Sequence, residues 1–258
     1  MNVNKLYVPG VLALLTVFSA CAPQPPEAES DWITLFDGSS MEGWRGYNAE
    51  VLPPGWTIVD SVLTFSTEIV LEQDYDYKGS KDIIYGAREF DNFELVVEWN
   101  IPPGGNSGIF YHVVEGYDGI PEVAPEYQLI DDENYTKFHD ITEYNRSLGF
   151  TENPEQLQLL QSTGADYAMY PPDTTVKKLN PAGQWNTTRI VFTPEKAEYY
   201  LNDALLVSFV PWSDDWHAKK NSGKWQLAPD YGKFKSGFIG FQDHGSGLSF
   251  RNIKIRPL

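Results

Sequence analysis

The chain has 258 residues, of which 14% are aromatic and 21% are charged, and this composition excludes a disordered chain and a coiled coil. Acidic side chains outnumber basic ones by 36 to 19, giving a formal net charge of −17, so the surface repels nucleic acid and anionic lipid. The single cysteine excludes an intrachain disulfide and a cysteine-rich zinc site. Uncharged carbohydrates remain compatible partners.

The N-terminal residues have the pattern of an export signal. Lys5 precedes an apolar run over residues 8–18 that is too short to be a permanent membrane span. Ser19-Ala20-Cys21 then resembles the lipobox of bacterial lipoproteins, with Phe18 where that motif usually has leucine. An ordinary signal peptide followed by an incidental cysteine is the alternative interpretation.

The lipobox interpretation predicts how the mature protein begins. We expect residues 1–20 to be a lipoprotein signal peptide, Cys21 to carry a lipid, and residues 21–30 to form a flexible, proline-rich tether. The lipid alone would attach the protein to the bacterial cell envelope, on the periplasmic side or at the cell surface.

Residues 31–258 predict an all-β domain, because short alternating runs are separated by turn signals and no helical periodicity is sustained. A weakly helical piece is expected at 154–161 and a short helix or turn within 212–224. The expected strands cover residues 33–36, two runs within 55–65 around an Asp60-Ser61 turn, 83–85, 93–101, 108–114, 126–131, 184–193, 196–201, 204–210, 237–243 and 250–256.

About a dozen short strands with closely spaced turns are typical of an antiparallel jelly-roll β-sandwich. The sequence has no internal repeat and no second linker, so we expect one domain over residues 31–258. The terminal strands near Ile33 and Ile253 should pair. The polar segment 132–164 is long for a simple connection and is either a functional loop or a surface insertion.

One polar strand face is the first candidate site. Glu126, Gln128 and Ile130 alternate along a predicted strand and therefore share a face, with neighbours about 7 Å apart. If that face lines a cleft, its carboxylate and amide suit a polyhydroxylated ligand. A solvated edge strand explains the same pattern equally well.

Two more groups of polar residues are candidates. Gln242 and His244 share a strand face with Gly240, whose missing side chain would leave room beside the backbone. Asn106 and Ser107 stand between glycines at a strand start, where they suit sugar hydroxyls. Turn formation and capping are the structural alternatives.

Six of the eight tryptophans divide into core and ligand candidates. Those within apolar strand patterns are expected in the core: Trp56, Trp99 and Trp185. Those in loops are candidates for stacking on a sugar ring: Trp44, Trp212 and Trp216. Four histidines disfavour a histidine-rich metal cage but leave a mixed histidine and carboxylate site open, so a divalent cation is compatible with the sequence. No phosphate loop or nucleophile elbow occurs, and no organic cofactor is expected.

Short motifs in a definite order extend over the whole mature domain. They are LFDG at 35–38, GW at 43–44, FEL at 93–95, GGNSGIFY at 104–111, PEYQ at 125–128, TGA at 163–165, GQWN at 183–186, LN at 201–202, GFQDHG at 240–245 and FRNIKI at 250–255. In these motifs the chain resembles the bacterial 3-keto-disaccharide hydrolase domain family, long a domain of unknown function. The resemblance implies a concanavalin/LamG-like jelly roll.

By this resemblance the protein is an exported enzyme whose substrate is a glucoside or disaccharide oxidised at C3 of glucose. The ketone acidifies the C2–H bond, so a base can begin an elimination that expels the C1 substituent, and water can add back to give net hydrolysis. Such a reaction needs a base, an acid for the leaving oxygen, and a donor or cation for the enolate. It does not need the carboxylate pair of ordinary glycosidases.

The resemblance also implies roles for individual residues. Glu126 is expected to be the general base or a metal ligand, and His244 the acid or the enolate donor. His112 stands where the family often has arginine and is expected near the sugar. The other residues expected to bind substrate are Asn106, Ser107, Gln128, Gln242, Asp131, Lys81, Asp82 and Trp44.

Three other functions are compatible with such a fold. One is a non-catalytic carbohydrate-binding lectin, and another is a structural surface protein. The remaining one is a conventional endoglucanase, whose fold relatives place Glu-x-Asp-x-Glu on one strand. Here that spacing reads Glu126-x-Gln128-x-Ile130 and lacks two of the three carboxylates, so the endoglucanase ranks below the lectin.

Overall fold

Strands dominate the described part of the chain. The computed structural model describes Met1, residues 31–73 and residues 80–258, so the predicted lipidation site Cys21 and the tether lie outside the described residues. Residues 31–258 form one compact unit. None of the helices described is both long enough and apolar enough to cross a membrane.

The secondary structure of the described ranges consists of strands β1–β13, helices α1–α4 and short 3-10 turns. The strands are β1 (Ile33–Phe36), β2 (Trp44–Gly46), β3 (Trp56–Val59), β4 (Val62–Phe65), β5 (Ile83–Phe90), β6 (Phe93–Asn100), β7 (Asn106–Val113), β8 (Glu126–Ile130), β9 (Asn186–Thr193), β10 (Lys196–Leu201), β11 (Ala204–Phe209), β12 (Gly237–Phe241) and β13 (Leu248–Pro257). The helices are α1 (Thr67–Gln73), α2 (Tyr135–Phe138), α3 (Thr142–Ser147) and α4 (Asp214–Ser222), with 3-10 turns at Ile120–Glu122, Leu159–Gln161 and Lys224–Leu227.

Two antiparallel sheets form the sandwich. The larger sheet has the order β11-β10-β9-β6-β13-β4-β3, with β1 paired to β13, and the smaller has the order β2-β5-β12-β7-β8. The terminal strands pair as predicted, with Ile33 opposite Ile255 and Phe36 opposite Ile253. The prediction of a concanavalin-like antiparallel jelly roll is confirmed.

Alternation along the strands places the core between the sheets. In β6 the odd-numbered residues from Phe93 to Trp99 are buried, and the residues between them are partly exposed. Tyr127 and Leu129 of β8 join the same core. The hydroxyl groups of Tyr111 in β7 and Tyr199 in β10 lie 2.7 Å apart and link the two sheets.

Turn residues close two hairpins, one at the predicted Asp60-Ser61 turn and one between the strands predicted at 196–201 and 204–210. Asp60 and Ser61 join β3 to β4 with φ of 49° and 62°, and Asn202 and Asp203 join β10 to β11 with φ of 46° and 67°. Two successive residues with positive φ give a turn whose twist matches that of the flanking strands.

The helical predictions are less accurate. The stretch 154–161 consists of turns and one 3-10 turn, because the side-chain amide of Asn145 binds the carbonyl groups of Pro154 and Gln156 and holds the chain away from a helix. Helices α2 and α3 lie earlier in the segment 132–164, and α1 was not predicted. Helix α4 lies within the range 212–224, as predicted.

The tryptophan predictions are partly wrong. Trp56 and Trp99 are buried as expected, whereas Trp185 is partly exposed beneath Arg251. Trp44 is 5% exposed, donates its indole N–H to the Leu35 carbonyl and stacks on Phe241. Trp212 and Trp216, the other two tryptophans predicted in loops, also pack on the core. Trp216 lies in α4 and is 4% exposed, and Trp212 is partly buried.

Candidate active site

A cavity of about 220 Å³ opens on the face of the smaller sheet that points away from the core. Glu126, Gln128 and Ile130 of β8 line it together, as predicted from their alternation. We call this space the central cavity. The strand face is therefore the floor of a cleft and not a solvated edge.

The polar segment 132–164 forms one wall of the central cavity. Its contribution is largely apolar and aromatic. Ile141 and Tyr135 pack against Ile130 at the cavity floor, and Gln161 donates a hydrogen bond of 2.8 Å to Asn145 that fixes the wall from behind. The lining residues from this segment are Tyr135, Ile141, Tyr144, Leu157 and Gln161. This segment is thus part of the site and not only a surface insertion.

Glu126 is buried beside the neighbouring strand β7. Its side chain is 3% exposed and crosses Gly108, where an added Cβ would lie 2.8 Å from Glu126 Cδ and Cγ. Glycine at position 108 therefore makes the space that the carboxyl group occupies. Burial raises the pKa of Glu126 to about 8, Lys224 opposes this rise, and Asp82 adds to it. The carboxyl group is largely protonated at neutral pH.

Lys224 is a cation at the cavity that the sequence analysis did not identify. Its Nζ lies 4.3 Å from the ring centroid of Tyr167, 4.5 Å from that of Trp225 and 5.7 Å from that of Tyr144. Aromatic faces stabilise a cation placed over them. No motif marks Lys224, and the adjacent Trp225 is the sole local signal in the sequence.

Asn106 lines the central cavity and has a buried, unpaired acceptor. The residue is 7% exposed, its Nδ2 lies 3.4 Å from the Tyr135 hydroxyl, and its buried Oδ1 has no hydrogen-bond partner. A buried acceptor without a partner is costly unless a ligand supplies a donor. The contact of Asn106 to a sugar hydroxyl stays a prediction.

Gln242 and His244 reach the cavity from the loop after β12. The Gln242 backbone N–H donates to the Gly108 carbonyl at 3.0 Å, so this loop is held against β7. His244 is exposed at the rim, and its partial loss of solvent lowers its pKa below the usual value. A neutral imidazole presents one N–H donor at neutral pH.

The expected free space at Gly240 does not exist. A Cβ at this position would lie 3.3 Å from Ile120 Cδ1 and 3.4 Å from Val113 Cγ2. The turn Ile120–Glu122 covers the strand there, so a ligand has no access to the backbone.

Two predicted substrate-binding residues have structural roles instead. Ser107 donates its hydroxyl to the Gln242 carbonyl at 2.8 Å. Asp131 accepts a hydrogen bond of 2.8 Å from the Gly104 backbone N–H and further bonds from the backbone N–H of Glu133 and Asn134. Both point away from the central cavity, because they alternate with the residues that line it.

His112 and Trp44 are also wrong as sugar-binding candidates. His112 is 1% exposed, lies 4.6 Å from the Phe192 ring centroid, and has Nε2 2.8 Å from the Asp91 carbonyl. Its burial lowers its pKa to about 4. Trp44 belongs to the core, as described above. His112 and Trp44 therefore pack in the interior of the protein and do not bind a sugar.

A second cavity of about 430 Å³ adjoins the first and is called the outer cavity. Asp82 lines it and accepts a hydrogen bond of 2.8 Å from the Asp243 backbone N–H. Burial and the nearby Asp243 carboxylate raise the pKa of Asp82 to about 7, although its hydrogen bond opposes the rise. Lys81 donates its backbone N–H to the Asp243 carboxylate at 2.9 Å. Asp82 therefore lies near the central cavity without lining it.

Within residues 31–73 and 80–258, no three histidine, cysteine, aspartate or glutamate side chains are grouped to hold a metal ion. A divalent cation, which the sequence leaves open, stays a prediction.

The family comparison decides the identity of the domain. The family described as 3-keto-alpha-glucoside-1,2-lyase-like domain matches residues 31–256. The chain belongs to this family. Membership confirms the predicted enzyme class: the 3-keto-alpha-glucoside-1,2-lyase-like domain described here is a glycoside-cleaving enzyme.

Individual relatives agree with this assignment. A 3-keto-disaccharide hydrolase from Bacteroides thetaiotaomicron is 33% identical over 256 residues, covering 91% of this chain and 81% of the relative. A candidate glycosyl hydrolase from Parabacteroides distasonis, known from a crystal structure, is 37% identical with a TM-score of 0.76 over 90% of this chain and 98% of its own. A second one from the same organism is 26% identical with a TM-score of 0.58, covering 88% and 99%.

Proposed function

We propose that this enzyme cleaves 3-keto-glucosides or 3-keto-disaccharides by an elimination that Glu126 begins. One observation carries the proposal. Glu126 is the single carboxylate among the described residues that line the central cavity. Conventional glycosidases need two carboxyl groups on opposite sides of the scissile bond. A substrate whose own ketone acidifies C2–H needs one base.

The first step removes the C2 proton. The Glu126 carboxylate takes this proton, and the electrons of the C2–H bond form a C2=C3 double bond with negative charge on the former ketone oxygen. Lys224, held over its aromatic neighbours, is the cation that stabilises this enolate. Burial favours the chemistry, because a base with a pKa near 8 is stronger than an exposed carboxylate.

The second step expels the substituent at C1. The enolate oxygen returns its electrons, the ketone re-forms, a C1=C2 double bond appears, and the C1–O bond breaks. The leaving oxygen takes up the proton that Glu126 removed from C2, and the N–H of His244 at the cavity rim donates a hydrogen bond to that oxygen. The product at this stage is an unsaturated keto-sugar, and addition of water across C1=C2 completes net hydrolysis.

Comparison of oxidised and unoxidised substrates tests the proposal. The purified domain is incubated with a 3-keto-glucoside and with its parent glucoside, with and without a chelator. We expect turnover of the keto compound alone. Cleavage of the parent alone would rule out the elimination, whereas binding of both without turnover would favour a lectin. The chelator arm shows whether a divalent cation takes part.

Glu126→Gln tests the base. We expect a loss of roughly 10²- to 10⁴-fold in kcat, the usual contribution of general acid–base catalysis, with the fold retained. Glu195→Gln is the matched control, because Glu195 is exposed in the turn between β9 and β10. Full activity in Glu126→Gln would remove Glu126 from the mechanism.

We also propose that the enzyme is exported and anchored to the cell envelope through a lipid on Cys21. The support is the lipobox-like sequence before this single cysteine. Cells expressing the full chain should incorporate labelled fatty acid into it and hold it in the membrane fraction. Cys21→Ser should lose both, and equal labelling of the two proteins would refute the anchor.

A further inference from the structure

The outer cavity continues the central cavity. Pro121, Gln242 and His244 line both. The central cavity, about 220 Å³, is smaller than the roughly 300–1,000 Å³ of pockets for drug-sized ligands, whereas the outer cavity adds about 430 Å³. The two spaces together have room for a ligand with two sugar rings, and His244 lines both.

The two cavities differ in chemistry. The central cavity combines one carboxylate with the cation Lys224 and apolar walls. The outer cavity has three carboxylates, Asp82, Asp118 and Asp243, and its described lining residues include no lysine or arginine. Asn48 and Ser80 add an amide and a hydroxyl. Such groups accept hydrogen bonds from sugar hydroxyls and repel an anion.

We propose that the outer cavity is the leaving-group subsite and that it selects an uncharged, hydroxyl-rich group, such as a second hexose, over a group bearing a carboxylate. This inference rests on the proposed function, because the position of Glu126 puts the keto ring in the central cavity. His244 then stands between the rings, beside the glycosidic oxygen to which its N–H donates a hydrogen bond.

Three substrates with the same 3-keto-glucose ring test the subsite, with methanol, glucose or glucuronic acid as the leaving group. The glucose and glucuronic acid compounds differ in one charge. We expect the wild type to show at least a tenfold higher kcat/KM for the glucose compound, about the effect of 1.4 kcal/mol. This gap, the ratio of the two kcat/KM values, should narrow as salt is added, since exposed charges are screened.

Asp118→Asn and Asp82→Asn locate the source of this selectivity. We expect at least one of them to reduce the gap several-fold, because each removes a carboxylate from the outer cavity. Asp203→Asn is the matched control in the exposed turn between β10 and β11, where positive φ suits asparagine, and it should leave the gap unchanged.

The outcomes separate this inference from the proposed function. Equal kcat/KM for the glucose and glucuronic acid compounds, or a gap that neither variant reduces, would overturn the subsite, while turnover of the methyl compound would still support the proposed function. Failure to cleave any of the three keto compounds would overturn both.

Discussion

Glu126 differs from most carboxylates of this acidic chain because it is both buried and open to a cavity. Its pKa near 8 makes a kinetic prediction. Since kcat/KM reports the free enzyme, its value for a 3-keto-glucoside should rise about tenfold per pH unit below pH 8 and level off above it. If kcat/KM is measured over pH 4–10, an acidic limb near pH 4.5 would contradict the assignment.

Lys224 should influence this same limb. Lys224→Met removes the charge that opposes the raised pKa of Glu126, so the limb should move to higher pH, and kcat should fall because the enolate loses its cation. Lys219→Met is the control: Lys219 lies on α4, pairs with Asp215 and does not line the central cavity. An acidic limb at the wild-type pH in Lys224→Met would show that Lys224 does not influence the pKa of Glu126.

At the scale of elements, β7 and β8 position the base between them. Gly108→Ala should displace the Glu126 side chain, which is more easily moved than backbone. We expect the variant to fold and to lose about 10²-fold in kcat, as for a displacement of about 1 Å in a catalytic group. Gly247→Ala, whose Cβ would meet the Phe65 carbonyl at 3.6 Å, should keep wild-type kcat. Wild-type activity in Gly108→Ala would contradict the close packing of Glu126 against position 108.

The strands were predictable because alternation is a local property. The same alternation correctly placed Glu126 and Gln128 together on one face. It does not show which chain segment covers a face, however. The prediction of free space beside Gly240 is wrong for this reason. Lys224 begins the 3-10 turn after α4 and is held at the cavity by its aromatic neighbours, a tertiary arrangement that no local pattern encodes. His112 and Trp44 were misplaced because nothing local shows that they are buried.

At the scale of the whole molecule, His112 couples acid stability to the packing of the two sheets. It belongs to β7 and contacts Phe93 of β6 and Phe192 of β9 in the larger sheet. Burial depresses its pKa to about 4, so the unfolded chain binds a proton that the folded chain does not bind between pH 6.5 and 4. The buried, neutral His112 therefore contributes to the free energy of unfolding above pH 6.5, and this contribution is lost as pH falls to 4.

Urea unfolding at several pH values measures this effect. The loss from His112 should approach 3 kcal/mol at about pH 4, from about 1.4 kcal/mol per pKa unit. Asparagine tolerates the φ of 55° at position 112. In His112→Asn, the free energy of unfolding should therefore fall less steeply between pH 6.5 and 4 than in the wild type. His217→Asn, at an exposed position on α4, should keep the wild-type slope, and an equal slope in all three proteins would contradict the prediction.

The residues of β8 alternate between two sets, or phases, that face opposite sides of the sheet. One phase contains core residues, Tyr127 and Leu129, and the other contains cavity residues, Glu126 and Gln128. Substitutions within the cavity phase can therefore change the chemistry while the core stays intact. Deleting one residue inside β8 would instead exchange the phases, turn a carboxylate toward the core and an apolar residue toward the substrate, and damage fold and catalysis in a single event.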